Sequence, residues 1–83
     1  AEFLREVQKH LDAQARLAGY DNIVSACSYA GAPNPFQAEG VSFVTWRGDV
    51  WAYCYAELEK VIAGLRPIPE ISQLLSELPV MVP

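Results

Sequence analysis

The sequence predicts an all-α fold: a small helical bundle of about four helices with one long central helix. Three observations predict it. Apolar residues recur at steps of three and four along most of the chain, the spacing of one helix face. Glycine and proline gather at a few points (Gly19, Gly31 to Pro35, Gly64 to Pro69, Pro79) and cut the chain into four such stretches. The length of 83 residues supports one hydrophobic core, so residues 1–83 read as a single helical domain.

The first helix is expected from Glu2 to about Ala18, with Phe3, Leu4, Val7, Leu11, Ala15 and Ala18 on one stripe and Glu6, Lys9, Gln14 and Arg16 on the wet side. Gly19 suits the left-handed position that stops a helix. Asp21 is placed to cap a short second helix carrying Ile23, Val24, Cys27 and Ala30. Gly31-Ala32-Pro33-Asn34-Pro35 breaks it and also starts the next. Asn34 fits an N-cap, Pro35 the first helical position, and Gln37 the residue that reaches back to the cap.

The central helix then runs from Pro35 to about Ala63, roughly 40–45 Å at 1.5 Å per residue, with Gly64 as its stop. Gly40 and Gly48 each weaken it by about 1 kcal/mol relative to Ala, which a kink or a close helix contact would explain. Arg66-Pro67-Ile68-Pro69 forms an extended connector. A last helix, Glu70 to about Leu78, turns Ile71, Leu74, Leu75 and Leu78 inward before Pro79 ends it. The tail Val80-Met81-Val82-Pro83 is apolar and uncharged, and is expected to pack back or to insert into a neighbour.

On the central helix, Phe43, Val44, Val50, Trp51, Cys54, Tyr55, Leu58, Val61, Ile62 and Leu65 form a broad apolar stripe that reads as core. Trp46 and Tyr53 lie off that stripe, with Val41 and Val50 at its margin. A helix apolar most of the way round is either buried on all sides or covered by another chain. Trp and Tyr are also residue types that carry interface hot spots. Trp46 and Tyr53 therefore have two readings, packing within the chain and a protein contact; with Val80, Met81 and Val82 they make the candidate interface. Arg47 falls inside the apolar stripe, where a guanidinium must snorkel to water or find acceptors. Asp21, Asn34 and the carbonyls of the Gly31–Pro35 loop are its candidate partners in a structural polar clamp, with an anion site as the alternative.

Several functions are disfavoured. Ten acids against six scattered bases give a net charge of -4, without the basic face that nucleic-acid binding requires. No apolar run approaches the roughly 20 residues of a membrane span, and no secretory signal opens the chain. The first residue is Ala1 rather than Met, which fits a processed or trimmed chain. Cys27 and Cys54 read as reduced core residues, or as a single bridge if their helices meet. His10 lacks a second imidazole or cysteine at ligand spacing, so no metal is expected. Glu57 and Glu59 are two apart and point in different directions, so they are no general acid/base pair. A non-enzymatic protein without cofactor is expected.

Finally, Tyr20-Asp21, Ala26-Cys27-Ser28-Tyr29-Ala30, Phe36, Ala38-Glu39-Gly40, Trp46-Arg47, Val50-Trp51, Cys54-Tyr55, Leu58, Val61, Gly64, Arg66 and Glu77-Leu78-Pro79 resemble a group of small phage and prophage proteins from the tail, tail-fibre and tail-assembly gene region. The likeness spans nearly the whole chain and brings no catalytic residues. Members often carry an acid directly after the Trp-Arg pair, whereas here Gly48 precedes Asp49. The resemblance implies a virion-associated or tail-assembly adaptor that binds a larger viral structural protein or itself, in the virion or in the host cytoplasm during assembly. A tail-fibre folding chaperone absent from the virion, or a small effector inhibiting a host protein, are the alternatives it leaves.

Overall fold

The computed structural model describes residues 2–82. Four α-helices follow one another: α1 (Glu2–Leu17), α2 (Ile23–Ser28), α3 (Gln37–Ile62) and α4 (Ile71–Glu77), with a single 3-10 turn, Tyr29–Gly31, after α2. No strand occurs among the described residues, so the fold is a small all-α bundle organised on one long helix.

Both long helices stop at a glycine in the left-handed region. Gly19 has φ +99° and Gly64 φ +76°. At the first, the amides of Tyr20 and Gly19 donate to the Ala15 and Arg16 carbonyls, both at 3.0 Å. At the second, the amides of Leu65 and Gly64 donate to the Lys60 and Val61 carbonyls at 2.9 and 3.1 Å. Each is the paired hydrogen-bond closure that satisfies the last free carbonyls of a helix.

The starts differ from expectation by a residue or two. Asn22, not Asp21, caps α2, its side-chain oxygen accepting from the Ser25 amide at 2.8 Å. Asp12 of α1 accepts from the Ile23 amide at 3.0 Å, so a neighbouring helix helps to finish the cap. Asn34 does act as a local cap, but of a turn: its oxygen accepts from the Phe36 amide at 2.8 Å, and α3 begins only at Gln37. The Gln37 side chain reaches the Ala30 carbonyl at 3.4 Å rather than returning to Asn34.

The core joins Val7, Leu11 and Ala15 of α1, Ile23 and Ala26 of α2, Phe43, Trp46 and Val50 of α3, and Leu74 and Leu78 from α4 and its C-terminal boundary. Gly40 lets α3 pass close to α2. A Cβ there would lie 2.7 Å from the Ala30 nitrogen and 3.0 Å from the Tyr29 carbonyl carbon. Gly48 has no such reason, since a Cβ there would meet nothing within 4 Å.

The buried face of α3 is rotated from the expected one. It carries Gly40, Phe43, Trp46, Val50 and Glu57, while Val44, Tyr55, Leu58 and Ile62 face outward and Leu65, just past the helix, is exposed. Trp46 supplies the reason: on this face its ring enters the core and its N–H finds an acceptor. The chain is elongated, 46 × 19 × 17 Å, with a radius of gyration of 14.0 Å against about 12 Å for a compact chain of this length. Past Val50, α3 buries only Glu57.

Candidate functional site

The expected interface residues do not form one surface. Trp46 is only 4% exposed, edge-on to Phe43, and its indole N–H donates to the Pro79 carbonyl at 2.7 Å. It is a core residue that ties the tail to α3, which corrects its assignment to the candidate interface. Tyr53 is half-buried, and its hydroxyl donates to Glu77 Oε1 at 2.7 Å, holding α3 to α4. Its hydroxyl is therefore engaged within the chain. Of the tail residues, Met81 packs against the core while Val80 and Val82 are exposed; Pro83 lies outside the described residues.

The Arg47 clamp is not formed either. Arg47 is half-buried and makes no ion pair among the described residues. Among the described residues no buried side-chain nitrogen or oxygen lacks a partner, so its guanidinium snorkels to water. Asp21 instead offers its backbone carbonyl to Arg16 Nε at 3.1 Å. Asn34 donates to the Tyr29 and Ala32 carbonyls at 2.9 and 2.7 Å.

The clamp that does exist centres on Arg66. Its guanidinium grips Glu77 in two-pronged fashion, at 2.9 and 2.8 Å, and also donates to Glu57 Oε1. Lys60 Nζ meets the other Glu57 oxygen at 2.7 Å. The Lys60 hydrogen bond, then Arg66, hold the Glu57 carboxyl below its ordinary range. Arg66, then Tyr53, do the same for Glu77. Accepting from Tyr53 and Arg66 keeps Glu77 anionic, and that anion in turn pushes the Tyr53 phenol up. The cluster closes the connector onto α3 and α4. Its charged components are ion-paired with one another.

A sequence signal for this clamp exists. Glu57 continues the Phe43, Trp46, Val50 series at helical spacing, so a carboxylate recurs on the face that turns inward. A charge at such a position requires an opposite partner, and Arg66 is a base in the rigid connector that follows.

Beside this clamp lies an apolar groove of about 370 Å³. Phe3 and Leu4 of α1, Tyr55 and Leu58 of α3, and Ile68 of the connector form much of its wall. Leu4, Tyr55 and Leu58 are each about half exposed, and Ile62 and Ile68 more so. Cys54 opens onto this groove, and burial pushes its thiol up, away from the reactive thiolate. Cys27 is also unbridged.

A second hollow, about 210 Å³, lies between the end of α1 and the start of α3, beside Tyr20, Tyr29, Phe36 and Glu39. There the Tyr20 hydroxyl donates to Glu39 Oε1 at 2.5 Å, and that hydrogen bond pushes the phenol up to about 12. A phenol so held stays protonated near neutrality and is no base. His10 stands 6.0 Å from the Trp46 ring, tilted against it. Among the described residues no cluster of three or more His, Cys, Asp or Glu side chains is placed to hold a metal. Among the described residues no helix is long and apolar enough to cross a membrane. The arrangement therefore offers shape and apolar surface. In comparisons with family models, curated proteins and solved structures, nothing matches this chain.

Proposed function

We propose that this chain is a non-enzymatic protein-binding adaptor, virion-associated or acting in tail assembly of a phage. One observation carries the binding half of that reading: the distal half of α3, with Leu4 and Ile68 beside it, leaves a continuous apolar face open to water. Open apolar patches beyond a few hundred Å² mark places where proteins meet other molecules. The groove has almost no polar lining with which to orient a reacting substrate, so it fits a side chain of another protein better than a metabolite. The viral setting rests on the likeness carried by Trp46-Arg47, Val50-Trp51 and Cys54-Tyr55 to proteins of the phage tail region.

The experiment is mass spectrometry of purified virions, with the wild-type chain and with Leu58→Glu expressed during infection. The adaptor reading expects the wild-type chain in the particle and Leu58→Glu reduced at least tenfold. A particle lacking the wild-type chain would leave an assembly chaperone as the role. Equal retention of both chains would remove this face from the function.

A further inference from the structure

The open face of α3 has a second regularity. Val41, Val44, Gly48, Trp51, Tyr55, Leu58 and Ile62 follow one another at alternating steps of three and four. That is the a/d spacing of a coiled-coil seam, kept for three heptads. It lies about 135° around the helix from the core stripe of Phe43, Trp46 and Val50, at 3.6 residues per turn. Trp51 is half-buried and the other six are exposed. A long helix thus carries one stripe buried in its own core and another that stays largely exposed, with Trp51 against the core and Tyr55 and Leu58 beside Leu4 at the groove.

We infer that a second copy of this chain covers the seam, with the two α3 helices packed antiparallel. The inference deepens the adaptor reading and rests on it only in assigning the open face to a protein contact.

Four observations select that occupant. An isologous dimer needs a patch that complements itself under a two-fold axis. Antiparallel pairing about a point between Trp51 and Tyr55 sets Val44 opposite Ile62, Gly48 opposite Leu58 and Trp51 opposite Tyr55. Leu58 then meets the gap at Gly48, Ile62 meets the smaller Val44, and each Trp51 meets a Tyr55. Parallel pairing would instead set Gly48 against Gly48 and Trp51 against Trp51, one a hole and the other a collision.

Gly48 is the second observation. Among the described residues, nothing beyond the adjoining helix backbone comes within 4 Å of where a Cβ would stand, yet it sits in mid-helix at the seam, where a leucine from a partner can enter.

Charge is the third. The positions flanking the seam are Thr45, Ala52 and Glu59 on one side and Arg47, Cys54 and Val61 on the other. In the antiparallel register Glu59 lies near Thr45 and Arg47 near Val61, so no like charges oppose one another. Arg47, with no ion pair among the described residues, sits at the rim with its stem along the seam.

Area is the fourth. The exposed fractions of the seam residues, with Leu4, Leu65 and Ile68 beside them, leave on the order of 1,000 Å² of side-chain surface open, against about 800 Å² per partner in a stable interface.

Sedimentation equilibrium of the purified chain from micromolar to hundreds of micromolar tests association. The expected result is twice the monomer mass for wild type, with Leu58→Glu weakening association by at least about 30-fold at unchanged helicity. Should Leu58→Glu lose its helicity, Ile62→Lys, near the exposed end of α3, replaces it with the same expectation. A monomeric wild type at the highest concentration, or an unchanged dimer in the folded variant, overturns the proposal.

Orientation is read by oxidation in a Cys27→Ser, Cys54→Ala background. Val44→Cys with Ile62→Cys should form covalent dimers, while each alone should not. Covalent dimers from the single variants would mean parallel helices and overturn the antiparallel arrangement. The virion experiment keeps the two readings apart. A monomeric wild type whose Leu58→Glu form is lost from the particle keeps the adaptor and removes the dimer. A dimer whose Leu58→Glu form is retained keeps the dimer and removes the adaptor.

Discussion

Two side chains, Trp46 and Arg66, fasten the C-terminal third of the chain to α3. Trp46 does so with one hydrogen bond to the Pro79 carbonyl from a ring otherwise sealed in the core. Trp46→Phe keeps most of the ring volume and removes the donor. It should cost about 1–3 kcal/mol through the unmatched carbonyl and the small void left behind. Urea denaturation measures that loss, and faster amide exchange at Val80 and Met81 would accompany it. Arg66 acts through charge. Glu57 and Glu77 have folded-state pKa values below the ordinary 4.5. Such groups add stability that is complete above the unfolded value and is lost as pH falls through the folded value. The urea midpoint should therefore be flat between about pH 7 and pH 5 and should drop below about pH 4.5. Glu77→Gln should lower the neutral-pH midpoint and shrink the acid drop. An acid limb as steep as wild type would show that Arg66 does not act through this carboxylate. Both residues are plain in the sequence, but their partners lie 33 positions away for Trp46 and 11 for Arg66 to Glu77, beyond any helical periodicity.

Elements in this chain are bounded by local chemistry and oriented by distant contacts. Gly19 and Gly64 stop α1 and α3 where the sequence places the stops, because a left-handed residue followed by two back-reaching amides is a local device. The Asn34 turn was legible for the same reason. Which face of α3 turns inward was not, since both of its stripes are apolar and only α2, α4 and the tail choose between them. The two helical glycines separate these influences. At Gly40 a methyl would meet backbone atoms of Ala30 and Tyr29 that cannot step aside, so Gly40→Ala should destabilise by about 1–3 kcal/mol despite its better helix propensity. At Gly48 there is open space within the chain, so Gly48→Ala should raise monomer stability by about 0.5–1 kcal/mol. Chemical denaturation at low protein concentration compares the pair. A Gly40→Ala variant as stable as Gly48→Ala would mean that α2 and α3 are not in backbone contact.

The whole molecule is a thin rod with one side furnished. Its core draws on all four helical segments, yet α3 beyond Val50 is covered on one face by the connector and α4 and is open on the other. A chain of this size holds only about 3–5 kcal/mol from its own core, and a partner on the open face would add to that by mass action. The melting temperature should therefore rise by several degrees over a hundredfold increase in protein concentration, and Leu58→Glu should abolish the rise. Circular dichroism melts across that range check it. A midpoint independent of concentration in the wild type would mean that no copy of the chain sits on α3. This scale also reassigns the aromatic residues. Trp46 closes the core and Tyr53 bonds to Glu77, while Tyr55, Leu58 and Ile62, read from periodicity as core, are the ones that face water.

The sequence by itself determined the helices, their stops, the extended proline connector and the surplus of apolar surface on α3. These follow from neighbours a few residues apart, where periodicity, caps and ring constraints act directly. Only the tertiary structure decided how that surplus is divided between core and surface, and that Arg66 rather than Arg47 is the clamped cation. The physical reason is rotational. A helix with two apolar stripes can settle on either, and the choice belongs to the groups that must be satisfied at long range: an indole N–H seeking a carbonyl, and the Glu57 carboxylate seeking a guanidinium.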